Sequence, residues 1–255
     1  MIRNYILVAL RNIRKHKFFA AINISGLTVG LTACLFIFVY IKDELSYDRF
    51  HTDAESIYRI GLTGRMAGQE FNTTNSCYPV GPAMKEEIPG ITDFTRIWPA
   101  SNTVVFAFEE KSFSEKKIFY ADSNFFSFFS FKLLEGDVNN VLQEPNSVVL
   151  TEEIANKYFA KGTAVGKLIT IGPDKRAYKV TGIASQAPHN SHFQFNALLS
   201  FSSVDNMIYK GWTGNSMQTY VKKDDQTLAS TINTKLEELV EKHVGPEIEQ
   251  LGFTF

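Results

Sequence analysis

Residues that could carry out chemistry are few in this sequence, and two histidines offer the first candidate. His189 and His192 lie three positions apart in the run PHNSHF, a spacing at which two imidazoles can share a metal ion. No Cys, Asp or Glu lies within five positions of either one to complete a set of ligands, and Pro188 and Asn190 favour a loop. We therefore interpret both as loop histidines with hydrogen-bonding partners and predict no metal site.

A glycine-rich run offers the second candidate, a phosphate-binding loop. Gly162 and Gly166 precede Lys167, but three residues separate the glycines where such a loop has four. Leu168 also stands where a serine or threonine would hold magnesium. We therefore predict a turn between a helix and a strand, and no nucleotide or other cofactor.

Sequence motifs of common enzymes are missing from the chain. Gly-x-Ser-x-Gly, His-Glu-x-x-His and Cys-x-x-Cys do not occur, and we interpret the acidic residues as a solvated surface. Cys34 lies in an apolar run and Cys77 in the polar remainder, so we expect the two thiols not to pair. These observations predict no catalytic residue, and hence a protein that is not an enzyme.

One long uncharged run must determine how the chain is positioned. The 24 residues of Phe18–Ile41, between Lys17 and Lys42, include no charged side chain. As a helix rising about 1.5 Å per residue they would extend roughly 36 Å, enough to cross a hydrocarbon core of about 30 Å. A core helix of a soluble protein rarely lacks a polar face for this length, so we predict a transmembrane helix.

Charges on either side of this run predict its orientation. Five basic residues precede it, whereas Lys42, Asp43 and Glu44 follow it. The positive-inside rule then places the N-terminus in the cytoplasm and residues 46–255 on the other side of the membrane. A cleaved signal peptide would have a shorter apolar region and a small-x-small site, whereas this run ends Val-Tyr-Ile-Lys, so we expect an uncleaved anchor.

Lipid and helix contacts are predicted within the first 41 residues. Residues 1–17 form a basic segment whose apolar side chains recur at helical spacing, which is typical of a helix on the bilayer surface. Gly26 and Gly30 form a Gly-x-x-x-Gly step that allows another helix to approach closely. Because glycine is common in membrane helices generally, the sequence leaves open whether this pair is a helix contact.

Short strands and isolated helices are predicted over residues 46–255. Strand patterns occupy Ser56–Met66, three runs within Thr92–Tyr120, Asn146–Leu150, Lys167–Ile171, Ala177–Ala184, Phe195–Phe201 and Met217–Lys222. Helix patterns occupy Ala83–Ile88, a segment from an N-cap at Thr151 to about Phe159, Thr227–Lys242 and an aromatic turn near Phe125. Without regular βαβ alternation, this mixture predicts an α+β domain. Its mildly acidic balance, 20 basic and 25 acidic residues, gives no reason to expect nucleic acid.

Several stretches of the chain follow one another in an informative order. They are NYILVALRNIRKHKFFAAINISGLTVGLTACLFIFVYIKDELSYDRFH, ADSNFFSFFSFKLLEGD, SVVLTEEIANKYF, VGKLITI, YKVTGIASQAPHNSHFQFNALLSF and WTGNSMQTYV. In this order, over nearly the whole chain, they resemble the MacB-type, FtsX-like permease subunits of ABC transporters. The resemblance is architectural and names no catalytic residue.

This resemblance implies one helix in the inner membrane followed by a MacB-like periplasmic core domain in a non-catalytic permease subunit. It also implies a separate ATP-binding subunit, a second permease copy in a dimer, and export or extraction driven by periplasmic domain motion. The residues expected to matter then act by transmitting motion. They are the helix-contact pair Gly26 and Gly30, and a membrane-domain junction of Asp43, Glu44, Tyr47, Asp48, Arg49 and Phe50.

Members of this family continue beyond their core domain, whereas this sequence ends at Phe255. We therefore expect an N-terminal portion of a permease, with the core domain incomplete at its C-terminal end. A single-pass sensor or ligand-binding module is the alternative, although a cytoplasmic segment of about 17 residues is too short for a signalling domain. An anchored hydrolase is the third class, and no nucleophile or metal constellation in the sequence supports it.

Overall fold

The structure is a computed structural model that describes residues 2–66, 69–159 and 163–250. The chain divides into two compact units, Met1–Tyr47 and Asp48–Phe255, and we call the second unit the body. Gly162 of the glycine-rich run, and the chain end at 251–255, lie outside the described residues.

Two helices make up the first unit. α1 spans Ile2–Lys15 and α2 spans Lys17–Glu44. Every side chain of these two helices is described, and none is buried. The 28 residues of α2 extend about 42 Å at about 1.5 Å per residue. α2 is therefore long and apolar enough to cross a membrane, which agrees with the helix predicted over Phe18–Ile41.

The described part of the body forms thirteen strands and four α-helices. The strands are β1 (Ile57–Arg59), β2 (Leu62–Met66), β3 (Gln69–Thr73), β4 (Ile91–Ser101), β5 (Val104–Phe108), β6 (Lys111–Glu115), β7 (Ile118–Ala121), β8 (Leu133–Glu135), β9 (Ser147–Thr151), β10 (Leu168–Ile171), β11 (Arg176–Ala184), β12 (Ala197–Ser200) and β13 (Gln218–Lys223). The helices are α3 (Val80–Glu87), α4 (Phe125–Phe128), α5 (Glu152–Phe159) and α6 (Ala229–Gln250).

One mixed sheet organises the body. Its strand order is β1-β13-β4-β7-β12-β9-β11-β10-β5-β6, with β8 paired to β11 beside this path, and β2 and β3 form a separate hairpin. The β9–β11 and β7–β12 pairs are parallel, whereas the other described pairs are antiparallel. Helices lie among these strands without regular βαβ alternation, so the α+β prediction is confirmed.

Aromatic side chains fill one of the apolar clusters against this sheet. The Phe125 ring is fully buried and stacks on the Phe131 ring at 5.5 Å between centroids, with the Phe195 ring edge-on at 5.8 Å. The cluster also includes Phe126, Phe128, Phe129 and Phe193. The predicted aromatic turn near Phe125 is therefore a short helix packed on the sheet.

The strand predicted over Ser56–Met66 is divided in the structure. The backbone N–H of Ile60 donates to Thr219 at 2.9 Å, after which the chain leaves the main sheet for the β2–β3 hairpin. Gly61 stands at this break, and a Cβ there would lie 3.3 Å from the carbonyl oxygen of Thr73. The close approach of the Gly61 and Thr73 backbones thus marks the point where β1 ends and β2 begins.

Two helix ends differ from their predicted positions. α3 begins at Val80 and not at Ala83, because Pro79 is its N-cap and Pro82 lies in the first turn, where a missing N–H removes no helical hydrogen bond. α6 continues through Pro246 to Gln250, beyond the predicted end at Lys242.

Two polar residues differ from their sequence interpretation. Thr151 precedes α5 as predicted, but its hydroxyl is buried and has no hydrogen-bond partner among the described residues, so it does not cap the helix. Glu115 is not part of a solvated surface, because it is buried and accepts hydrogen bonds from the Tyr158 hydroxyl and Lys157 Nζ, each at 2.7 Å. Contact with helix α5 places this carboxylate inside.

The turn predicted between β10 and β11 is confirmed. The two strands pair antiparallel from Leu168 opposite Lys179 to Ile171 opposite Arg176. Gly172 has a φ of 82°, a conformation that glycine adopts without strain.

We expect Phe125→Ala to lower the free energy of unfolding by about 3–5 kcal/mol, because it removes a fully buried ring from the aromatic cluster. Denaturant unfolding of the full chain in a nonionic detergent measures this loss. Phe113→Ala is the matched control, since the Phe113 ring is 43% exposed, and should cost less than half as much. Equal losses would contradict the packing described for the cluster.

Candidate functional site at the start of the body

The predicted helix-contact pair lies on an open face of α2. Nothing lies within 4 Å of the position that a Cβ would take at Gly26 or Gly30. At about 100° per residue, Ala33 falls on the same face as the two glycines and Ala21 on the opposite one. This face of α2 therefore has small side chains and room for a close neighbour.

The predicted junction residues are divided between the two units. Asp43 and Glu44 belong to the last turn of α2 and Tyr47 ends the first unit, whereas Asp48, Arg49 and Phe50 open the body. The first unit ends in a turn in which the carbonyl oxygen of Asp43 accepts from Ser46, at 3.0 Å from its N–H and 2.6 Å from its hydroxyl.

Asp48 ties the beginning of the body to the loop before β12. Its N–H donates to the carbonyl oxygen of Asn190 at 2.9 Å, and its carboxylate accepts from the Ser191 hydroxyl at 3.2 Å. The same carboxylate accepts from the His192 N–H at 3.1 Å and lies 2.7 Å from His192 Nδ1. Its φ of 58° is a left-handed conformation that aspartate tolerates better than most residues.

His192 extends this connection to the sheet. Its Nε2 lies 2.7 Å from the hydroxyl of Tyr220 in β13. Burial raises the pKa of Tyr220 to about 12, so the phenol keeps its proton and can donate it to His192 Nε2. When His192 Nε2 accepts this proton, Nδ1 can donate to Asp48, and the Asp48–His192–Tyr220 chain joins the first residue of the body to β13.

His51 fixes the next turn of the chain inside the aromatic cluster. Its ring centroid lies 5.2 Å from those of both Phe129 and Phe131, and its Nδ1 accepts from the Ser130 N–H at 3.1 Å. Burial lowers the pKa of His51 from its ordinary 6.5 to about 4, an effect that the charge of Asp48 opposes without offsetting. His51 is therefore a neutral imidazole at physiological pH.

These contacts anchor the start of the body to the rest of its fold. The described residues hold no group of three or more His, Cys, Asp or Glu side chains that could bind a metal. His189 and His192 are both exposed, and the structure pairs His192 with Asp48. Sequence reasoning missed the Asp48–His192 pair because 144 positions separate the two residues. Their local sequences carry no signal that would have connected them.

Comparison with known proteins shows which folds this chain is similar to. The family model for the MacB-like periplasmic core domain matches residues 20–239. A domain assigned to a permease protein from Porphyromonas gingivalis superposes with a TM-score of 0.67 at 24% identity, covering 76% of this chain and 83% of that one. No curated protein matches the chain significantly.

Two further solved structures share the fold. The periplasmic region of MacB from Actinobacillus actinomycetemcomitans gives a TM-score of 0.53 at 20% identity, covering 73% of this chain and 83% of that one. The extracellular domain of the ABC-type transporter YknZ from Gram-positive bacteria gives 0.50 at 12% identity, covering 73% and 93%. At these identities the likeness establishes the fold.

We expect neutral, buried His51 to make the body less stable in acid. Below pH 6.5 the unfolded chain takes up a proton at this residue that the folded chain refuses until about pH 4, so this part of the stability is full above pH 6.5 and is lost as the pH falls between these values. Between pH 7 and 4.5 the loss from His51 should be roughly 2 kcal/mol.

His51→Phe should remove this part of the pH dependence while keeping an aromatic ring in the cluster. Denaturant unfolding at the two pH values measures it, and His189→Phe in the exposed loop is the control that should keep the full dependence. If His51→Phe loses as much stability in acid as the unchanged chain, the conclusion that His51 is buried as a neutral imidazole is wrong.

Proposed function

The chain belongs to the family of MacB-like periplasmic core domains, and from this membership we propose that it is the N-terminal portion of a permease subunit. It is a membrane component of the ABC transporter permease type. In the proposed function, ATP hydrolysis by a separate subunit is coupled to motion of the body, which drives export or extraction of a substrate. In this proposal the subunit has a mechanical role and the ATP-binding subunit carries out the chemistry.

The observation that carries this proposal is the exposed apolar surface of α2. Its leucine, isoleucine, valine and phenylalanine side chains are all 48% or more exposed between Phe18 and Ile41. Each such side chain gains about 1.5–3 kcal/mol when it leaves water for an apolar environment. Lipid is the environment that can receive a whole helix of this kind, and the body is covalently joined to its end.

We assign three segments to this proposed topology. Residues 1–17 lie in the cytoplasm, 18–41 cross the inner membrane, and 46–255 form the periplasmic domain. α1 supports the first assignment, because Ile2, Ile6 and Leu10 are exposed and recur at helical spacing beside basic residues. Membrane lipid is thus a partner of both helices.

Mechanical coupling requires a firm connection where the chain enters the body. The Asp48–His192–Tyr220 chain and the insertion of His51 among aromatic rings supply it. A displacement transmitted along the backbone to Asp48 would therefore move β13 through these contacts. A flexible loop at this position would absorb the displacement. This connection supports a role for Asp48, Arg49 and Phe50 as junction residues, together with Asp43, Glu44 and Tyr47 on the other unit.

The proposed topology predicts which positions react with a membrane-impermeant maleimide. In intact spheroplasts, Asp174→Cys in the exposed turn after β10 should be labelled, whereas Arg14→Cys in α1 should react after permeabilisation alone. The chain without an added cysteine is the control, since Cys77 is buried and Cys34 lies in the span. Labelling of Arg14→Cys in intact cells would reverse the proposed orientation.

The proposed assembly predicts which proteins copurify with the chain after the membrane is solubilised. When two differently tagged copies are expressed in the native host, each should purify with the other and with an ATP-binding-cassette subunit. Gly26→Leu and Gly30→Leu should reduce recovery of the second copy at least roughly fivefold, about 1 kcal/mol, by blocking close helix approach. Ala21→Leu on the opposite face of α2 is the matched control.

Two results would count against this assembly. Unchanged recovery of the second copy in both glycine variants would show that Gly26 and Gly30 do not form a helix contact. Purification with neither a second copy nor an ATP-binding protein would contradict the permease proposal itself.

A further inference from the structure

A cavity of about 280 Å³ opens in the body beside the edge strand β1. Its lining residues include Asp48, His51, Ile57, Arg59, Phe129 and Tyr220. We propose that this cavity binds a small monocarboxylate, held by Arg59 and His51 with its hydrocarbon part against Ile57 and Phe129. Such a ligand site goes beyond the permease function and does not depend on it.

His51 offers the first hydrogen-bond donor to this ligand. The residue is 6% exposed, and because Nδ1 accepts from the Ser130 N–H, the ring proton of the neutral imidazole lies on Nε2. That Nε2 is buried and has no hydrogen-bond partner among the described residues. Buried donors are rarely left unpaired, so an acceptor from outside the chain completes this one.

Arg59 offers the second donor and a positive charge. Its Nε is also buried without a partner among the described residues, and its guanidinium lies over the Tyr220 ring at 5.8 Å from the centroid. No carboxylate of the described residues forms an ion pair with Arg59. Arg96 in the same sheet differs, because its guanidinium is paired with both carboxylate oxygens of Asp122 at 2.9 Å. Arg59 is therefore prepared for an anionic partner.

Charge and size favour a carboxylate over a phosphate. Asp48 lines the same cavity, and its charge repels a dianion more strongly than a monoanion. Ala54, Ile57 and Phe129 contribute apolar side chains to the lining, which suits a short hydrocarbon chain and not a fully hydrated ion. The volume lies just below the range of about 300–1,000 Å³ found for small-molecule sites, so the ligand must be small.

Titration of the full chain in a nonionic detergent with butyrate tests this proposal. Calorimetry should show saturable binding, and the ¹³Cε1 resonance of His51, in protein labelled at histidine, should shift along the same curve. Butyramide, a neutral molecule of the same shape, and inorganic phosphate should each bind at least tenfold more weakly.

Arg59→Met keeps the apolar stem and removes the guanidinium, so it should weaken butyrate binding at least tenfold. Arg176→Met is the matched control, since Arg176 is a partly buried arginine in the same sheet that donates to the carbonyl oxygen of Ser203, and should stay within twofold. The thermal unfolding midpoint of each variant checks that it folds. If Arg59→Met fails to fold, the His51 resonance in the unchanged chain decides.

Four outcomes would overturn the assignment. These are a His51 resonance that does not shift, equal binding of butyramide, tighter binding of phosphate than of butyrate, and unchanged affinity in a folded Arg59→Met variant. An unshifted His51 resonance would show that the cavity does not bind butyrate. Equal binding of butyramide, or tighter binding of phosphate, would show that the cavity does not prefer a carboxylate. Unchanged affinity in Arg59→Met would show that the arginine does not hold the ligand.

Discussion

The preference of one uncharged helix for lipid over water determines the organisation of this protein. Between Lys17 and Lys42 the backbone is helical throughout, so most of its peptide groups pair within α2, and every side chain is uncharged and unburied. A soluble fold would have to cover this surface, and none of the described residues does so. We therefore propose that the helix is a membrane anchor, and that the basic residues before it and the polar residues after it determine which side of the membrane holds the body.

A second constraint acts where the body begins. A transmitted displacement is useful when the chain enters a rigid structure, and Asp48 is held by a backbone hydrogen bond, a histidine and, through it, a tyrosine of β13. His51 is inserted among phenylalanine rings immediately afterwards. These contacts also shape the cavity beside β1, so a bound ligand would alter the same region through which we propose that motion passes.

Features controlled by nearby residues could be predicted from the sequence. The uncharged run predicted α2, the turn residues at Gly172 predicted the β10–β11 hairpin, and the clustered phenylalanines predicted α4 on a sheet. Features decided by distant partners could not. β1 separates from β2 at Gly61, where the chain stops pairing with β13 and begins to pair with β3. Glu115 is buried because Tyr158 and Lys157 reach it.

The candidate site shows the same limit. The run from Asp43 to Phe50 could be selected because it follows the span, but its connection to His192 and Tyr220 depends on a chain reversal that no local pattern encodes. The unpaired donors of His51 and Arg59 become visible in the structure alone, since burial of Nε atoms follows from packing around β1.

Extraction of native membranes tests the central claim most directly. After an alkaline wash that strips peripheral proteins, the chain should remain in the pelleted bilayer and be released by detergent, as expected for a helix that crosses the hydrocarbon core. Release of the intact chain into the alkaline supernatant would show that α2 does not span the membrane, and the permease account would then fail.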